Sequence, residues 1–255
     1  VGQAGADLGV TIPNAAWFLS CWSAEQDEFW MENKNGYEGE PTTVFSTESY
    51  TLDIVNWWSD LASDELYFNG GIENWAEPAT VFREQRVPFN FNSSTSIAYV
   101  NSDQFDVRTA KFPTLSGERI GHHRGGAEIW AVNKARSDDE REALQKFVDF
   151  ALSPEVQAAF HKASGYYPAH EGSWGVLESE GWFEDNPRHQ VAREQLENWE
   201  RNPTNIGTQT GESPAISAEV ANQMNQVFGG KDPQTAMEAV KGEAEAALAR
   251  YQRQA

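Results

Sequence analysis

Chemically capable side chains are concentrated in residues 122–128, where two histidines, an arginine, a glycine pair and a glutamate stand close together. Adjacent His122 and His123 point in different directions on a strand, and no third ligand stands at a recognised spacing such as HExxH. Glu128 would need a second carboxylate about 5–10 Å away to act in hydrolysis. The chain contains no GxSxG elbow, Walker loop or dinucleotide fingerprint. We therefore expect no catalytic residues, no metal and no cofactor.

The composition excludes several kinds of partner. The 255 residues include 39 acidic and 19 basic side chains, so the formal net charge is −20, and a nucleic acid or an anionic membrane surface would be repelled. The apolar fraction of 39% and the ten tryptophans exclude a disordered chain. The length fits one large or two modest domains. Cys21 is the only cysteine, so neither an intrachain disulfide nor a CxxC motif exists.

Apolar periodicity predicts a helix-rich, mixed α/β chain. Four apolar residues at helical spacing predict a helix over about residues 48–62, namely Leu52, Val55, Trp58 and Leu61. Residues 87–100 indicate a strand, a turn and the start of a short helix. Residues 127–132 are rich in β-favouring side chains and predict a further strand.

Capping residues mark the helices of the second half. Ser137 with Glu140 three residues later is a capping box. Ser153-Pro154 starts the next helix, since proline loses nothing at the first helical position, and Gly165 ends it. The helix after Ser137 is predicted to bury an apolar stripe consisting of Leu144, Phe147, Val148 and Ala151.

The last third of the chain is predicted to be helical. One helix is expected over about residues 178–198 and another over about 217–228, where Gly229-Gly230 stops it. A final helix starts at Asp232-Pro233 and continues to the terminus.

The second half of the chain resembles the extracytoplasmic solute-binding proteins of bacterial ABC importers. Within the maltose-binding-like family it is most similar to the glycerol-3-phosphate-binding members. The motifs that carry the resemblance are Gly125-Gly126-Ala127-Glu128-Ile129-Trp130, Lys146-Phe147-Val148-Asp149-Phe150, Ser153-Pro154-Glu155 and Gly165-Tyr166-Tyr167-Pro168. The resemblance continues through residues 180–187 and 211–236, and more weakly backward through 93–100 and 35–39.

This resemblance implies a type II periplasmic-binding-protein fold, an α/β architecture of two lobes with a ligand cleft between them and hinge strands that cross twice. Family members are longer, and nothing here matches the βαβ-rich first half of their N-terminal lobe, so we expect that part to be absent. The chain also opens at Val1 without a signal peptide. On the family's map, residues 1–112 and 171–255 belong to the C-terminal lobe and residues 113–170 to the N-terminal lobe and hinge.

The resemblance also implies a set of ligand-binding residues. Trp17 and Trp22 lie in the stretch that stacks on ligand in relatives, and Tyr166 corresponds to the tyrosine of the Gly-Tyr-x-Pro loop. Ser94 is favoured within a serine-rich loop that also contains Ser93 and Ser96. The competing interpretations are ordinary ones: most tryptophans are core residues, loop serines cap helices, and a tyrosine can pack beneath a helix terminus.

The turn before the strand at residues 127–132 belongs to the same set. Gly125 and Gly126 permit a backbone N–H to approach the ligand closely. Ser217 stands where the glycerol-phosphate binders carry an arginine that pairs with the phosphate. Either the ligand is not a simple phosphate monoester or another cation substitutes, and Arg124, with His122 and His123 behind it, is the candidate.

Two functions from different classes follow. The first is a periplasmic binding module that captures glycerol 3-phosphate, a glycerophosphodiester or a sugar in its inter-lobe cleft, as a monomer, and delivers it to an ABC permease in the membrane. The second is an enzyme that cleaves a carbohydrate or a phosphodiester with a pair of carboxylates. Turnover of an aryl glycoside or a phosphodiester discriminates between them.

Overall fold

The computed structural model describes residues 6–100, 105–115, 117–123, 136–196 and 200–254. The chain forms two compact units. The first unit consists of Val1–Asn92, Phe112–Gly126 and Asn198–Ala255, and the second unit consists of Ser93–Lys111 and Ala127–Glu197. Within the described ranges, no helix has both the length and the apolar character that a bilayer span requires.

The first unit combines a small sheet with helices from both ends of the chain. Its strands are β1 (Val10–Thr11), β2 (Tyr67–Phe68) and β3 (Phe89–Asn90), all parallel, in the order β2-β1-β3. Its helices are α1 (Ala16–Glu25), α2 (Glu32–Asn35), α3 (Ser49–Ser63), α4 (Ala76–Arg83), α10 (Ser213–Phe228) and α11 (Pro233–Gln252). The parallel register pairs Val10 with both Tyr67 and Phe89.

The core of the first unit forms where α1 and α3 meet the two C-terminal helices. Phe18 and Trp22 of α1 pack with Trp58 of α3. Met224 of α10 and Leu248 of α11 are buried in the same cluster. Burial of such large apolar side chains removes each of them from water and stabilises the unit by about 1.5–3 kcal/mol per side chain.

The described part of the second unit is built from helices. They are a 3₁₀ helix (Ser94–Ala98), α5 (Asp138–Ala151), α6 (Pro154–Ser164), α7 (Gly172–Ser179), α8 (Trp182–Asp185), a second 3₁₀ helix (Pro187–His189) and α9 (Gln190–Leu196). Its core cluster contains Ala158, Trp174, Leu177 and Phe183. The cluster therefore joins α6, α7 and α8.

The second unit is larger than the segment that we expected to leave the C-terminal lobe. It consists of Ser93–Lys111 and Ala127–Glu197, whereas Phe112–Gly126, most of which we expected in that segment, falls in the first unit. The reason is packing: Trp174 of α7 and Phe183 of α8 share a core with Ala158 of α6. The assignment of either unit to a lobe of the family stays a prediction.

Several helix predictions are confirmed. Residues 48–62 correspond to α3, which begins at Ser49. The capping box of Ser137 and Glu140 is formed at the start of α5. Pro154 starts α6, and Gly165 ends it in the left-handed region with φ 74°. Asp232 caps α11 by accepting a hydrogen bond from the backbone N–H of Thr235 at 2.8 Å.

Two predictions for helices are wrong. A single helix over residues 178–198 does not form, because Gly181 adopts φ 70° and Pro187 cannot donate a helical hydrogen bond. The segment begins with the end of α7 and continues as α8, the second 3₁₀ helix and α9. The apolar stripe of α5 is not buried. Phe147 is 57% exposed and Leu144 is also exposed, since no described element covers that face of α5 enough to remove it from water.

The helix at residues 217–228 is present but begins earlier, at Ser213. Pro214 lies in its first turn, where the missing N–H has no intrahelical partner to lose. The predicted strand at residues 127–132 lies outside the described residues.

Candidate functional site

Trp17 lies on α1 with part of its ring accessible. The ring contacts Phe18 and Trp75 edge-on, with centroids 5.4 and 6.5 Å away, and it meets the imidazole of His123 at 6.0 Å. These neighbours fix the orientation of the indole, but they do not enclose it, so the residue is only partly buried. An indole held in this way is suited to stacking on a ligand.

Trp22 occupies a different position on the same helix. It is 1% exposed, and its ring packs against Phe112 at 4.7 Å and Trp57 at 5.3 Å. Its indole N–H donates to the carbonyl oxygen of Pro113 at 3.0 Å. The structure therefore places Trp22 in the core of the first unit, where it acts in packing, and the predicted ligand contact finds no support in this placement.

Glu25, which the sequence reasoning missed, anchors the segment that leads to the predicted glycine turn. Its carboxylate is 1% exposed and binds Arg119 Nη2 at 3.0 Å and His123 Nδ1 at 2.8 Å through the same oxygen, Oε1. Its backbone carbonyl accepts hydrogen bonds from the N–H groups of Ile120 and Gly121. The only sequence signal for this anchor was the acidic Glu25 at the end of an apolar helix. Its partners Arg119 and His123 lie far along the sequence.

Gly121 shows how closely this segment approaches α1. A Cβ atom at this position would lie 2.2 Å from the carbonyl oxygen of Ala24, so only glycine fits. Arg119 also donates to the carbonyl of Phe112 at 2.9 Å, which closes the segment on itself. Residues 112–115 and 117–123 are thus fixed on the C-terminal end of α1 by one buried carboxylate and by backbone contacts.

Three predicted ligand residues follow directly after this anchor: Arg124, Gly125 and Gly126, which lie outside the described residues, as does Glu128. His123, which we considered as a metal ligand, is hydrogen-bonded to the Glu25 carboxylate through its Nδ1. Across the part of the chain that the structure describes, no group of three or more histidine, cysteine, aspartate or glutamate side chains is arranged to hold a metal ion.

Ser217 lies in the N-terminal part of α10, one residue after buried Ile216. The residue itself is partly buried. Ser217 therefore offers a neutral hydroxyl, and no positive charge, at a partly buried position of α10.

Ser94 and Tyr166 are brought together in the second unit. Ser94 is the first residue of the 3₁₀ helix, while Ser93 caps that helix by accepting a hydrogen bond from Thr95 N–H at 3.4 Å. The capping interpretation thus holds for Ser93. Gly165 lies against this helix, since a Cβ atom on it would be 2.8 Å from the carbonyl oxygen of Ser94.

The ring of Tyr166 is exposed, and hydrogen bonds hold its backbone in place. Its side chain is 52% exposed and stacks on Phe160, with the rings nearly parallel and their centroids 5.8 Å apart. Its carbonyl oxygen accepts a hydrogen bond from His161 Nδ1 at 2.7 Å, and its N–H donates to Ser164 Oγ at 3.2 Å. This arrangement holds a phenol hydroxyl at the surface, where it can donate one hydrogen bond to a ligand.

Comparison with known proteins gives one consistent result. A family model described as bacterial extracellular solute-binding protein matches residues 4–189. The sn-glycerol-3-phosphate-binding periplasmic protein UgpB of Yersinia enterocolitica is 27% identical over 98% of this chain, and the alignment covers 57% of that protein. The chain therefore spans little more than half the length of this relative.

Solved structures share the fold. The sugar-binding protein MalE of Xanthomonas citri superposes with a TM-score of 0.74 at 13% identity, over 99% of this chain and 61% of that one. UgpB of Mycobacterium tuberculosis, solved in complex with glycerophosphocholine, superposes with a TM-score of 0.71 at 19% identity, over 98% of this chain and 60% of that one. The helix-rich α/β architecture is thus that of periplasmic binding proteins, and the chain belongs to the family of bacterial extracellular solute-binding proteins.

Proposed function

We propose that this chain is the substrate-binding part of an ABC importer, and that it captures a small polyol-type solute and delivers it to a membrane permease. Membership of the extracellular solute-binding family is the observation that carries the proposal. The relative named for sn-glycerol 3-phosphate and the neighbour solved with glycerophosphocholine support the solute class. The protein works outside the cytoplasm in this proposal, and it binds its solute as a monomer.

The accessible aromatic and hydroxyl groups support a ligand of this kind. Trp17 offers a partly exposed indole in the first unit, and Tyr166 and Ser94 offer hydroxyl groups in the second unit. Indole and phenol rings complement the carbon–hydrogen face of a polyol, while hydroxyls pair with its oxygens. We include Arg124, Gly125, Gly126 and Ser217 in the proposed site and leave out Trp22.

The serine at position 217 favours a ligand with less negative charge than a phosphate monoester. A guanidinium would form charge-assisted, bidentate hydrogen bonds with a dianion, and Ser217 supplies none. A phosphodiester or a sugar needs no such partner. We therefore propose a glycerophosphodiester or a sugar ahead of glycerol 3-phosphate, with Arg124 as the partner of any anionic group.

Exchanging this serine for arginine tests the assignment. Ser217→Arg should increase the affinity for glycerol 3-phosphate about tenfold or more by calorimetry, because one charge-assisted hydrogen bond is worth about 1.5–3 kcal/mol. Ala218→Arg is the matched control, since it adds the same charge on the next, exposed position of α10. Equal gains from both variants would mean that only the net charge matters and would contradict a ligand contact at residue 217.

Removing one hydroxyl tests the role of Tyr166. Tyr166→Phe should raise the dissociation constant for glycerophosphocholine about 5- to 20-fold, because one ligand hydrogen bond is lost while the ring remains. Tyr99→Phe removes a hydroxyl from another exposed tyrosine of the same unit and should leave the affinity unchanged. An unchanged affinity in Tyr166→Phe would exclude its hydroxyl from the site.

Members of this family are binding proteins rather than enzymes, and we propose the same for this chain. Incubation with an aryl glycoside and with a phosphodiester should release no product. If further purification removes the hydrolysis of either compound but leaves solute binding intact, the hydrolysis comes from a contaminant. Hydrolysis that stays with the protein and is lost in Glu128→Gln would favour the enzyme instead.

A further inference from the structure

Two histidines lie buried beside the turn that carries Tyr166. His161 of α6 is 1% exposed and His189, the last residue of the second 3₁₀ helix, is 7% exposed. Their ring centroids are 5.0 Å apart with an interplanar angle of 76°. Trp174 and Phe183 flank the His161 ring, and Trp182 flanks the His189 ring, all edge-on or tilted. We refer to His161 and His189 as the imidazole pair.

The hydrogen bonds define the protonation state that fits this pocket. The carbonyl oxygen of Tyr166 can only accept, so His161 Nδ1 carries a proton and donates it at 2.7 Å. In the neutral ring, Nε2 is then a bare acceptor, and it is buried without a hydrogen-bond partner among the described residues. His189 Nδ1 is likewise buried without a hydrogen-bond partner among the described residues. Both nitrogens therefore lie where an added proton would find no acceptor.

The surroundings oppose a positive charge on either ring. Burial lowers the pKa of His161, although its hydrogen bond to Tyr166 partly offsets this. Burial, the neighbouring His161 and the charge of Arg188 lower the pKa of His189 to about 4. Among the described residues, no carboxylate bonds either ring. Three further charged or titratable side chains contact the flanking rings. Lys162, paired with Glu180, lies over Trp182, and Arg193, paired with Glu178, lies over Trp174. Tyr167 packs beside Trp174.

We propose that the imidazole pair positions the Tyr166 turn, and that protonation of the pair opens its pocket and releases that turn. The effect on ligand affinity rests on the proposed function, because it requires Tyr166 to contact the solute. The positioning itself rests on three contacts: His161 holds the carbonyl of Tyr166, Gly165 lies against Ser94, and His189 packs on His161.

The direction of the pH dependence follows from linkage. In an open form the histidines reach water and take up protons near their ordinary pKa of 6.5. The closed form resists protonation until the pH falls well below that value. Between about pH 6.5 and the lowered pKa, the open form binds more protons, so acidification favours it at the expense of the closed form. Above pH 6.5 the closed form keeps its full advantage.

Nuclear magnetic resonance tests the proposal without a ligand. The chain has only five histidines, so the ring signals can be assigned by substitution. On acidification from pH 7 to pH 4, the amide signals of Gly165 and Tyr166 should shift together with the ring signals of His161 and His189. In His189→Phe, and in His161→Gln, which keeps a donor for the Tyr166 carbonyl, this amide transition should move by at least one pH unit or vanish.

His170→Asn serves as the matched control, because His170 is an exposed histidine of the same unit. Its substitution should leave the amide transition where it is. The proposal is overturned if the Gly165 and Tyr166 amides stay constant from pH 7 to pH 4 while the protein remains folded. It is equally overturned if both pair variants retain the wild-type transition.

Affinity measurements then separate this inference from the proposed function. Glycerophosphocholine is the suitable probe, since its phosphodiester lacks the second ionisation near pH 6 of a phosphate monoester. Its dissociation constant should rise about tenfold from pH 7 to pH 5 in the wild type and less than twofold in the double variant His161→Gln/His189→Phe. A constant affinity alongside the amide transition would contradict the ligand role of Tyr166 and support the positioning by the pair. Absence of binding at every pH would contradict the proposed solute, and the amide signals would still decide the inference.

Discussion

At the scale of single residues, Trp17 and Trp22 show what local sequence patterns can and cannot predict about burial. Both belong to α1, and both are large aromatic residues in one aromatic-rich stretch. Phe112 is far from Trp22 in the sequence, yet its ring packs on Trp22 with the centroids 4.7 Å apart. A contact of that sequence separation is not readable from local spacing, so the sequence predicted the type of residue but not which of the two is accessible.

Glu25 is the residue whose substitution should affect the first unit most clearly. Glu25→Ala leaves Arg119 and His123 without their shared carboxylate and should reduce the free energy of unfolding by about 3 kcal/mol, the usual cost of breaking a buried pair. Denaturant unfolding followed by fluorescence measures this loss. Glu38→Ala removes the partner of Lys34 in an exposed pair and should cost less than about 1 kcal/mol.

The two variants together decide whether the burial of Glu25 matters. If Glu25→Ala unfolds at the same denaturant concentration as Glu38→Ala, then residues 117–123 are held by their backbone contacts and the carboxylate is dispensable. A loss confined to Glu25→Ala would support the anchor described for this segment.

At the scale of elements, local signals predicted helix starts better than helix continuity. The capping box at Ser137, the proline at residue 154 and the cap at Asp232 each fix an N-terminus through contacts within four residues. The break in residues 178–198 also had local signals, Gly181 and Pro187, which outweigh the apolar pattern. The exposed stripe of α5 had none, since burial depends on what covers the helix.

The end of α6 gives a test of the turn that brings Ser94 and Tyr166 together. Gly165→Ala forces a side chain into the left-handed region and within 2.8 Å of the Ser94 carbonyl oxygen, so it should destabilise the second unit by more than about 1 kcal/mol. Thermal unfolding checks the loss. Gly175→Ala, within α7 with no atom within 4 Å of the added Cβ, should instead be neutral or stabilise by up to about 1 kcal/mol.

Equal behaviour of these two glycine variants would contradict the close packing of the α6 end on the 3₁₀ helix. The expected difference in sign arises because alanine is favoured within a helix and disfavoured at a positive φ.

At the scale of the whole molecule, the functional class came from resemblance and the chemistry of single residues refined it. The net charge of −20 argues against nucleic acids and anionic lipid surfaces as partners, but it did not by itself indicate an importer. Motifs from Gly125 to Pro168 indicated the family, and the match over residues 4–189 confirmed it. The solute cannot be deduced from the fold, because the neighbours named for sugars and for glycerophosphocholine share it.

The most direct test of the central claim is a calorimetric titration of this chain with glycerophosphocholine, glycerol 3-phosphate and maltose. Our account predicts saturable binding of one solute per chain for at least one of them, with glycerophosphocholine or maltose bound more tightly than glycerol 3-phosphate because Ser217 offers no guanidinium. Preferential binding of glycerol 3-phosphate would contradict the role given to Ser217. Absence of saturable binding for all three solutes would contradict the proposal that this chain captures a polyol-type solute.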